Sequence, residues 1–139
     1  MPHDDTIFLK SQVDVLSFFD VEQLRKVTPD IEHATYPAGE VIVIKGEVTS
    51  GLFIVKKGKV AVHLKPKTGP PGVVELKAGE FFGEVSMLSD APAAGSVKSA
   101  EDGTEILTIP HASFRKLIDM QPLLVQTLLR KAADRKKSV

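Results

Sequence analysis

The sequence predicts a mainly β fold with flanking helices: an antiparallel β-barrel or jelly roll (double-stranded β-helix) between an N-terminal helical cap and two C-terminal helices. Between residues 30 and 110, short apolar and β-branched runs alternate with glycine-containing turns. Before and after this region, apolar residues recur at helical spacing. We therefore assign one domain to 1–139, with the cap at 6–29, the barrel at 30–110 and the C-terminal helices at 111–137.

Composition narrows the classes of function. With 139 residues the chain can bury one core, and its 18 basic and 18 acidic residues leave no net charge to attract nucleic acid or a membrane. The absence of cysteine excludes disulfides, thiolate metal sites and a cysteine nucleophile. The acidic start and the lack of any apolar run near 18 residues predict a cytoplasmic protein with no membrane partner.

The helical cap has a start and a stop signal. Apolar residues from Ile7 to Phe19 follow a helical rhythm, Asp20 is placed to cap a second helical turn, and Pro29 ends it. From residue 31 the period changes to two, which indicates strands. The predicted strands are 31–36, 41–44, 51–55, 59–64, 73–76 and 105–110, with 56–58 as a hairpin turn and 65–72 as an exposed loop rich in proline and glycine.

The stretch 79–97 joins the strands on either side of it. It predicts a strand end, a tight turn at Gly83, a helical turn over 84–88, a loop, and a strand resuming at 96–98. Gly83 can adopt positive φ, and a helix that begins directly after it presents free N–H groups and the positive end of its dipole. A phosphate group suits such a place, although glycine turns also serve many folds merely to change direction.

The same stretch resembles the phosphate-binding cassette of the cyclic-nucleotide-binding domain family, in its cAMP-receptor-like form. That family typically has Phe-Gly-Glu, an apolar helical turn, and then Pro-Arg-Ala-Ala followed by Thr or Ser at the same interval. This chain has Phe82-Gly83-Glu84-Val85-Ser86-Met87-Leu88 and, after Pro92, Ala93-Ala94-Gly95-Ser96-Val97. The glycines at 39, 46 and 58 also match the spacing of the family's barrel.

The resemblance implies a ligand site of defined residues. Backbone at Gly83 and the helix start would face a cyclic phosphate, Glu84 would accept a hydrogen bond from the ribose 2′-hydroxyl, and the backbone of Ala94 would help hold the phosphate. Ala94 also lacks the hydroxyl that accompanies guanine preference, so cAMP is expected over cGMP, with no cofactor and no metal. The predicted ligand-binding residues are Gly83, Glu84, Val85, Ser86, Ala93, Ala94 and Ser96.

Ala93 is the main departure from the family pattern, because it stands where the phosphate-pairing arginine belongs. Removing one partner of a buried charge pair costs on the order of 2 to 5 kcal/mol, or about thirtyfold to several thousandfold in affinity. Lys98 is the nearest downstream cation, and the side chains at 56, 57, 59 and 77 are candidates from other strands. The sequence therefore predicts weak binding of cAMP or a related anion.

The C-terminal region predicts two helices. Ser113 is placed to cap the first, which breaks at Pro122, and the second has Leu123, Leu124, Leu128 and Leu129 on one face. In transcription factors of the family that this chain resembles, a long final helix covers the nucleotide base and leads into a DNA-reading module. About 15 residues, or roughly 22 Å of helix, remain from Leu123 here, so the resemblance implies a poorly covered base and no DNA-reading module. Its last turns are basic, and the helix could still form a homodimer.

Two functions remain open after enzymes are set aside. The four histidines are scattered without metal-ligand spacing, and no nucleophile-elbow pattern occurs, so an enzyme is not expected. The first hypothesis is a regulatory sensor that binds cyclic nucleotide and acts in signal transduction through a partner protein that carries the output. The second, supported by Ala93 and the short final helix, is a degenerate domain that serves as a protein–protein interaction adaptor.

Overall fold

The computed structural model describes residues 4–64 and 70–137, with side chains described as far as residue 134. Eight strands form two four-stranded antiparallel sheets, ordered β1-β8-β3-β6 and β2-β7-β4-β5. This arrangement confirms the predicted antiparallel jelly roll with flanking helices. The strands are β1 Glu32–Tyr36, β2 Val41–Val43, β3 Gly51–Lys57, β4 Lys59–Leu64, β5 Gly72–Lys77, β6 Phe81–Phe82, β7 Val97–Ser99 and β8 Thr104–Pro110.

Five α-helices flank the sheets. They are α1 Thr6–Gln12, α2 Val21–Arg25, α3 Glu84–Ser89, α4 His111–Met120 and α5 Leu123–Lys137, with single 3₁₀ turns at Asp14–Leu16 and Thr28–Asp30. Asp20 is the N-cap of α2, as predicted, and its N–H donates to Gln23 Oε1 at 3.0 Å. Of the predicted loop 65–72, residues 65–69 lie outside the described residues, and Pro70 and Pro71 are exposed.

The predicted hairpin at 56–58 is wrong. β3 pairs with β6 and β8, whereas β4 pairs with β5 and β7, so the chain passes from one sheet to the other at Gly58. Gly58 has φ of +81°, and a Cβ there would lie 2.6 Å from Thr104 Oγ1. Two adjacent apolar runs with a glycine between them give the same local signal for a hairpin and for such a corner, and only the pairing partners distinguish them.

Two details of the C-terminal helices also differ from prediction. Ser113 lies inside α4 rather than at its cap; it is buried, and its Oγ is 3.4 Å from Asp30 Oδ2. Only Leu124 and Leu128 of the predicted apolar face of α5 are buried, because they are four residues apart and share one side of the helix. Leu123 and Leu129 are more than half exposed.

The buried side chains form two clusters. One joins the helical cap, α3, α4 and α5 to the β1-β8-β3-β6 sheet, and it includes Phe19, Met87, Phe114 and Leu128. The other lies between the two sheets and includes Phe82 and Val97. Phe82, directly before Gly83, belongs to the second cluster and Met87 of α3 to the first, so the chain passes from one core to the other across Gly83.

A buried carboxylate fixes the helical cap to the sheet. Asp5, whose side chain has no exposed surface, lies 2.6 Å from Lys56 Nζ on β3 and 2.5 Å from His33 Nε2 on β1. Burial by itself raises the pKa of Asp5, but the hydrogen bonds from Lys56 and His33 outweigh it and hold this pKa below the usual value of 3.8. The ionised carboxylate is therefore the form that the fold stabilises.

We expect Asp5→Asn to remove a contribution to the stability of the fold that depends on pH. A lowered folded-state pKa gives stability that is complete above the unfolded value near 4 and is lost as pH falls through the folded pKa. The difference in free energy of unfolding between wild type and Asp5→Asn should therefore shrink between about pH 5 and pH 2. Urea titrations across that range measure it, with Asp119→Asn, at an exposed residue of α4, as the control; a constant difference would contradict the ion-pair explanation.

Candidate functional site

The stretch 79–97 adopts the predicted course. β6 ends at Phe82, Gly83 takes the left-handed conformation with φ of +84°, and α3 begins at Glu84. Asp90 ends α3 with φ of +55°, and β7 begins at Val97. We call residues 83–97 the cassette segment below.

Gly83 is required on two counts. An L side chain rarely adopts its φ, and a Cβ there would lie 2.7 Å from Cδ2 of the Phe53 ring. Phe53 in turn stacks on Phe82 with ring centroids 5.0 Å apart. The glycine thus lets the chain turn directly over an aromatic pair, and this places the first turn of α3 at the edge of the sandwich.

The Ser86 hydroxyl is engaged inside the protein. Its Oγ accepts the Thr49 N–H at 3.0 Å and donates to the Ala91 carbonyl at 2.8 Å, and Ser86 is 1% exposed. Thr49 Oγ1 also donates to the Gly83 carbonyl at 3.1 Å. These bonds join the segment between β2 and β3 to both ends of α3. The hydroxyl of Ser86 therefore fixes the cassette segment, which leaves its backbone as the part that faces a ligand in our prediction.

The segment between β2 and β3 also holds the second half of the cassette segment. Ala93 N–H donates to the Glu47 carbonyl at 2.8 Å, and Gly46 N–H donates to the Ala93 carbonyl at 2.9 Å. Ser96 Oγ accepts the Lys45 N–H at 3.1 Å. Because the backbone groups of Ala93 are already paired, its side chain is the part of this residue that can vary without loss of the loop.

A small cavity of about 60 Å³ lies between the cassette segment, the β2-β7-β4-β5 sheet and α5. Six of the seven predicted site residues line it: Gly83, Glu84, Val85, Ser86, Ala93 and Ala94. The seventh, Ser96, is not among the lining residues. The predicted site residues are therefore mostly brought together, but the space they enclose is well below the roughly 300 Å³ at which ligand pockets begin.

Several lining residues were not predicted from the sequence. The apolar walls are formed by Val43, Val62, Leu64 and Val97. Alternation along β4 would have indicated Val62 and Leu64. Thr49 and Gly95 carried no such signal; a Cβ at Gly95 would collide with the His63 carbonyl oxygen. Ala132 of α5 also lines the cavity, so the final helix reaches this side of the fold, and how well it covers a nucleotide base stays a prediction.

Glu84 is the charged side chain that lines the cavity, and it is 8% exposed. Among the described residues that line it, none is lysine, arginine or histidine. Lys56, one of the candidate substitutes for the missing arginine, is instead bonded to Asp5. The cavity thus combines a left-handed glycine, the start of a helix and one carboxylate, and its described lining includes no cation that would pair with a phosphate.

Neither a metal cluster nor a membrane-spanning helix occurs within the described residues. No group of three or more histidine, aspartate or glutamate side chains there is placed to hold a metal ion. No helix in that part of the chain combines the length and the apolar character needed to span a membrane.

Known proteins include clear relatives of this chain. Over 116 residues the chain is 33% identical to a cyclic nucleotide-gated potassium channel of Rhizobium etli, covering 84% of this chain and 30% of the channel. The fold matches the cAMP-bound regulatory domain of Toxoplasma gondii PKA with a TM-score of 0.79 at 27% identity, over 93% of this chain and 48% of that one. The chain thus spans less than half the length of either relative.

A third match has a more distant sequence. The regulatory subunit of a cAMP-independent protein kinase A from Trypanosoma brucei, solved as a triple mutant bound to cAMP, gives a TM-score of 0.74 at 19% identity, covering 93% of this chain and 46% of that one. The family described as the cyclic nucleotide-binding domain matches residues 33–121. Because this match takes in most of the chain and the whole of α3, the chain belongs to the cyclic nucleotide-binding domain family.

Proposed function

We propose that this chain is a non-catalytic regulatory module that binds cAMP, or a related anion, weakly at the cassette segment and signals through a partner protein. The observation that carries the proposal is the geometry at Gly83, where a left-handed glycine starts α3 beside the buried Glu84 carboxylate. The relatives support it, since the channel of Rhizobium etli is named as cyclic nucleotide-gated and the regulatory domain of Toxoplasma gondii PKA was solved with cAMP.

Weak binding follows from the charges at the cavity. Glu84 is acidic and the described lining residues include no cation, so a phosphate would be held by backbone N–H groups alone. The small cavity also implies that Ala132 and the end of α5 move outward when a nucleotide enters.

A thermal-unfolding titration with cAMP and cGMP up to about 1 mM tests the proposal. A dissociation constant near 10 μM would stabilise the fold by roughly 2.7 kcal/mol at that concentration, which moves the unfolding midpoint by several degrees. Because binding is proposed to be weak, we expect cAMP to move the midpoint by less than a ligand with a dissociation constant of about 10 μM would. We expect a still smaller shift with cGMP, because Ala94 has no hydroxyl. The non-cyclic nucleotide AMP serves as the control, and equal shifts with all three would contradict selective binding.

An adaptor without a nucleotide ligand is the second candidate. It is favoured by Ala93 and by the 60 Å³ cavity, which is smaller than any ligand of this class needs. In that case the fold would present surfaces to a partner constitutively. No shift with any nucleotide in the wild-type protein, together with a shift in Ala93→Arg, would select this alternative, because it would show an intact cleft that has lost its ligand.

A further inference from the structure

β5 forms an open edge of the β2-β7-β4-β5 sheet. In an antiparallel pair, successive residues point their N–H and C=O groups alternately toward and away from the partner strand. Lys77 N–H donates to Glu80 Oε2 at 2.7 Å, so it points away from β4. Alternation then turns the backbone groups of Val73 and Glu75 to the same outer side.

The outward groups of Val73 and Glu75 have no hydrogen-bond partner within the described part of the chain. At Lys77 the corresponding groups are used by the β5–β6 turn, since the Lys77 carbonyl accepts the Glu80 N–H at 3.0 Å. At the other end, Pro70 and Pro71 precede the strand. The free part of the edge therefore offers two N–H donors and two C=O acceptors at alternate positions of one strand.

A groove of about 460 Å³ follows this strand, and it is far larger than the cassette cavity. Three consecutive residues of β5 line one side of it, from Val74 to Leu76. The other walls are the first 3₁₀ turn, the β5–β6 turn and the end of α5. Its volume lies within the range of natural ligand pockets.

The groove carries an excess of negative charge. Four of its lining residues are acidic, and one, Lys131, is basic; the acidic residues are Asp14, Glu75, Glu80 and Asp134. They come from four separate elements of the fold. The chain as a whole has no net charge, so this groove is a local concentration of carboxylates rather than a reflection of composition.

From the open edge together with this charge we propose that β5 is a docking site for a basic, extended segment of a partner protein, which adds to the sheet as a further strand. Backbone pairing at Val73 and Glu75 would supply the hydrogen bonds of strand addition. Side chains of the added strand that fall beside Glu75 are lysine or arginine, because Glu75 is exposed on the outer face of β5 and a cation there meets its carboxylate. Those that fall beside Val74 and Leu76 are apolar.

This surface is separate from the cassette segment. The two cavities share no lining residue, although α5 contributes Ala132 to one and Lys131 to the other. Docking at β5 does not require a nucleotide, so this proposal can fail or hold independently of the proposed ligand. Both proposed functions need a partner protein, and this proposal specifies that the docking segment of that partner is basic and extended.

The test uses the full chain and a blocked hexapeptide of alternating lysine and valine, followed by amide chemical shifts. We expect saturable shifts centred on residues 72–77 and on Glu80, weakening as salt rises. The alternating glutamate–valine peptide, and the lysine–valine peptide with an N-methyl group on every amide, are the controls. The first reverses the charge and the second removes backbone donors, and neither should bind.

Two variants separate backbone pairing from charge. Val73→Pro removes one outward N–H, a change that edge strands tolerate, and it should abolish saturable binding while β4–β5 pairing persists. Glu75→Lys should weaken binding at least about tenfold, whereas Glu32→Lys, the same charge change on the opposite sheet, should leave it within about twofold. Binding that survives both changes, shifts confined to other elements, or peptide-independent pairing of two copies through β5 would overturn the proposal.

Discussion

Ala93→Arg is expected to raise the affinity for cAMP by about thirtyfold to several thousandfold. The Ala93 side chain lines the cassette cavity, while its backbone is already fixed by the Glu47 carbonyl and the Gly46 N–H. An arginine at this position can therefore be added without loss of the loop. It would supply the bidentate, charge-assisted hydrogen bonds that a phosphate favours and that no described lining residue offers.

The matched control for Ala93→Arg is Ala93→Gln, which adds a long polar side chain without charge. We expect Ala93→Gln to bind cAMP no better than wild type by isothermal titration calorimetry. Ala93→Lys should fall between the two, because an ammonium provides charge but no fork of donors. If arginine and glutamine gave the same affinity, side-chain charge would not be what the cassette segment lacks, and the closed cavity would be the more important obstacle.

Local signals explain why much of the cassette segment could be predicted from sequence. A glycine after an apolar strand, followed by an apolar turn and a proline-containing loop, defines Gly83 and α3 without reference to the rest of the fold. The structure confirms the turn, the helix and the following strand within one residue or so. The fold class was predictable for the same reason, since short strands and glycine corners recur along the chain.

Other features depend on contacts between distant residues and carried no local signal. The corner at Gly58 looked like a hairpin, because the run itself does not show that β3 and β4 pair with different sheets. The Asp5, His33 and Lys56 cluster joins three elements that are up to 51 positions apart. Ala132 reaches the cavity only because of the way α5 packs. Spatial neighbours of this kind follow from the tertiary fold and not from the pattern of the sequence.

Gly83→Ala is expected to lower the free energy of unfolding by about 2 to 5 kcal/mol. A left-handed conformation costs an L-residue about 1 to 2 kcal/mol, and the added methyl group would press on the Phe53 ring, where crowding of a packed site typically costs about 1 to 3 kcal/mol more. The ring cannot retreat freely, because it stacks on buried Phe82. The substitution should thus displace the aromatic pair beneath α3 and disturb the cassette segment as well.

Gly39→Ala separates the two causes, because Gly39 has nearly the same φ, +87°, and a methyl group added there would meet no heavy atom within 4 Å apart from its neighbours in the chain. It should lose only the conformational part, about 1 to 2 kcal/mol. Urea denaturation of both variants measures the difference, which isolates the contact with Phe53. Equal losses would show that this ring yields to the methyl group, and the requirement for glycine before α3 would then rest on backbone conformation alone.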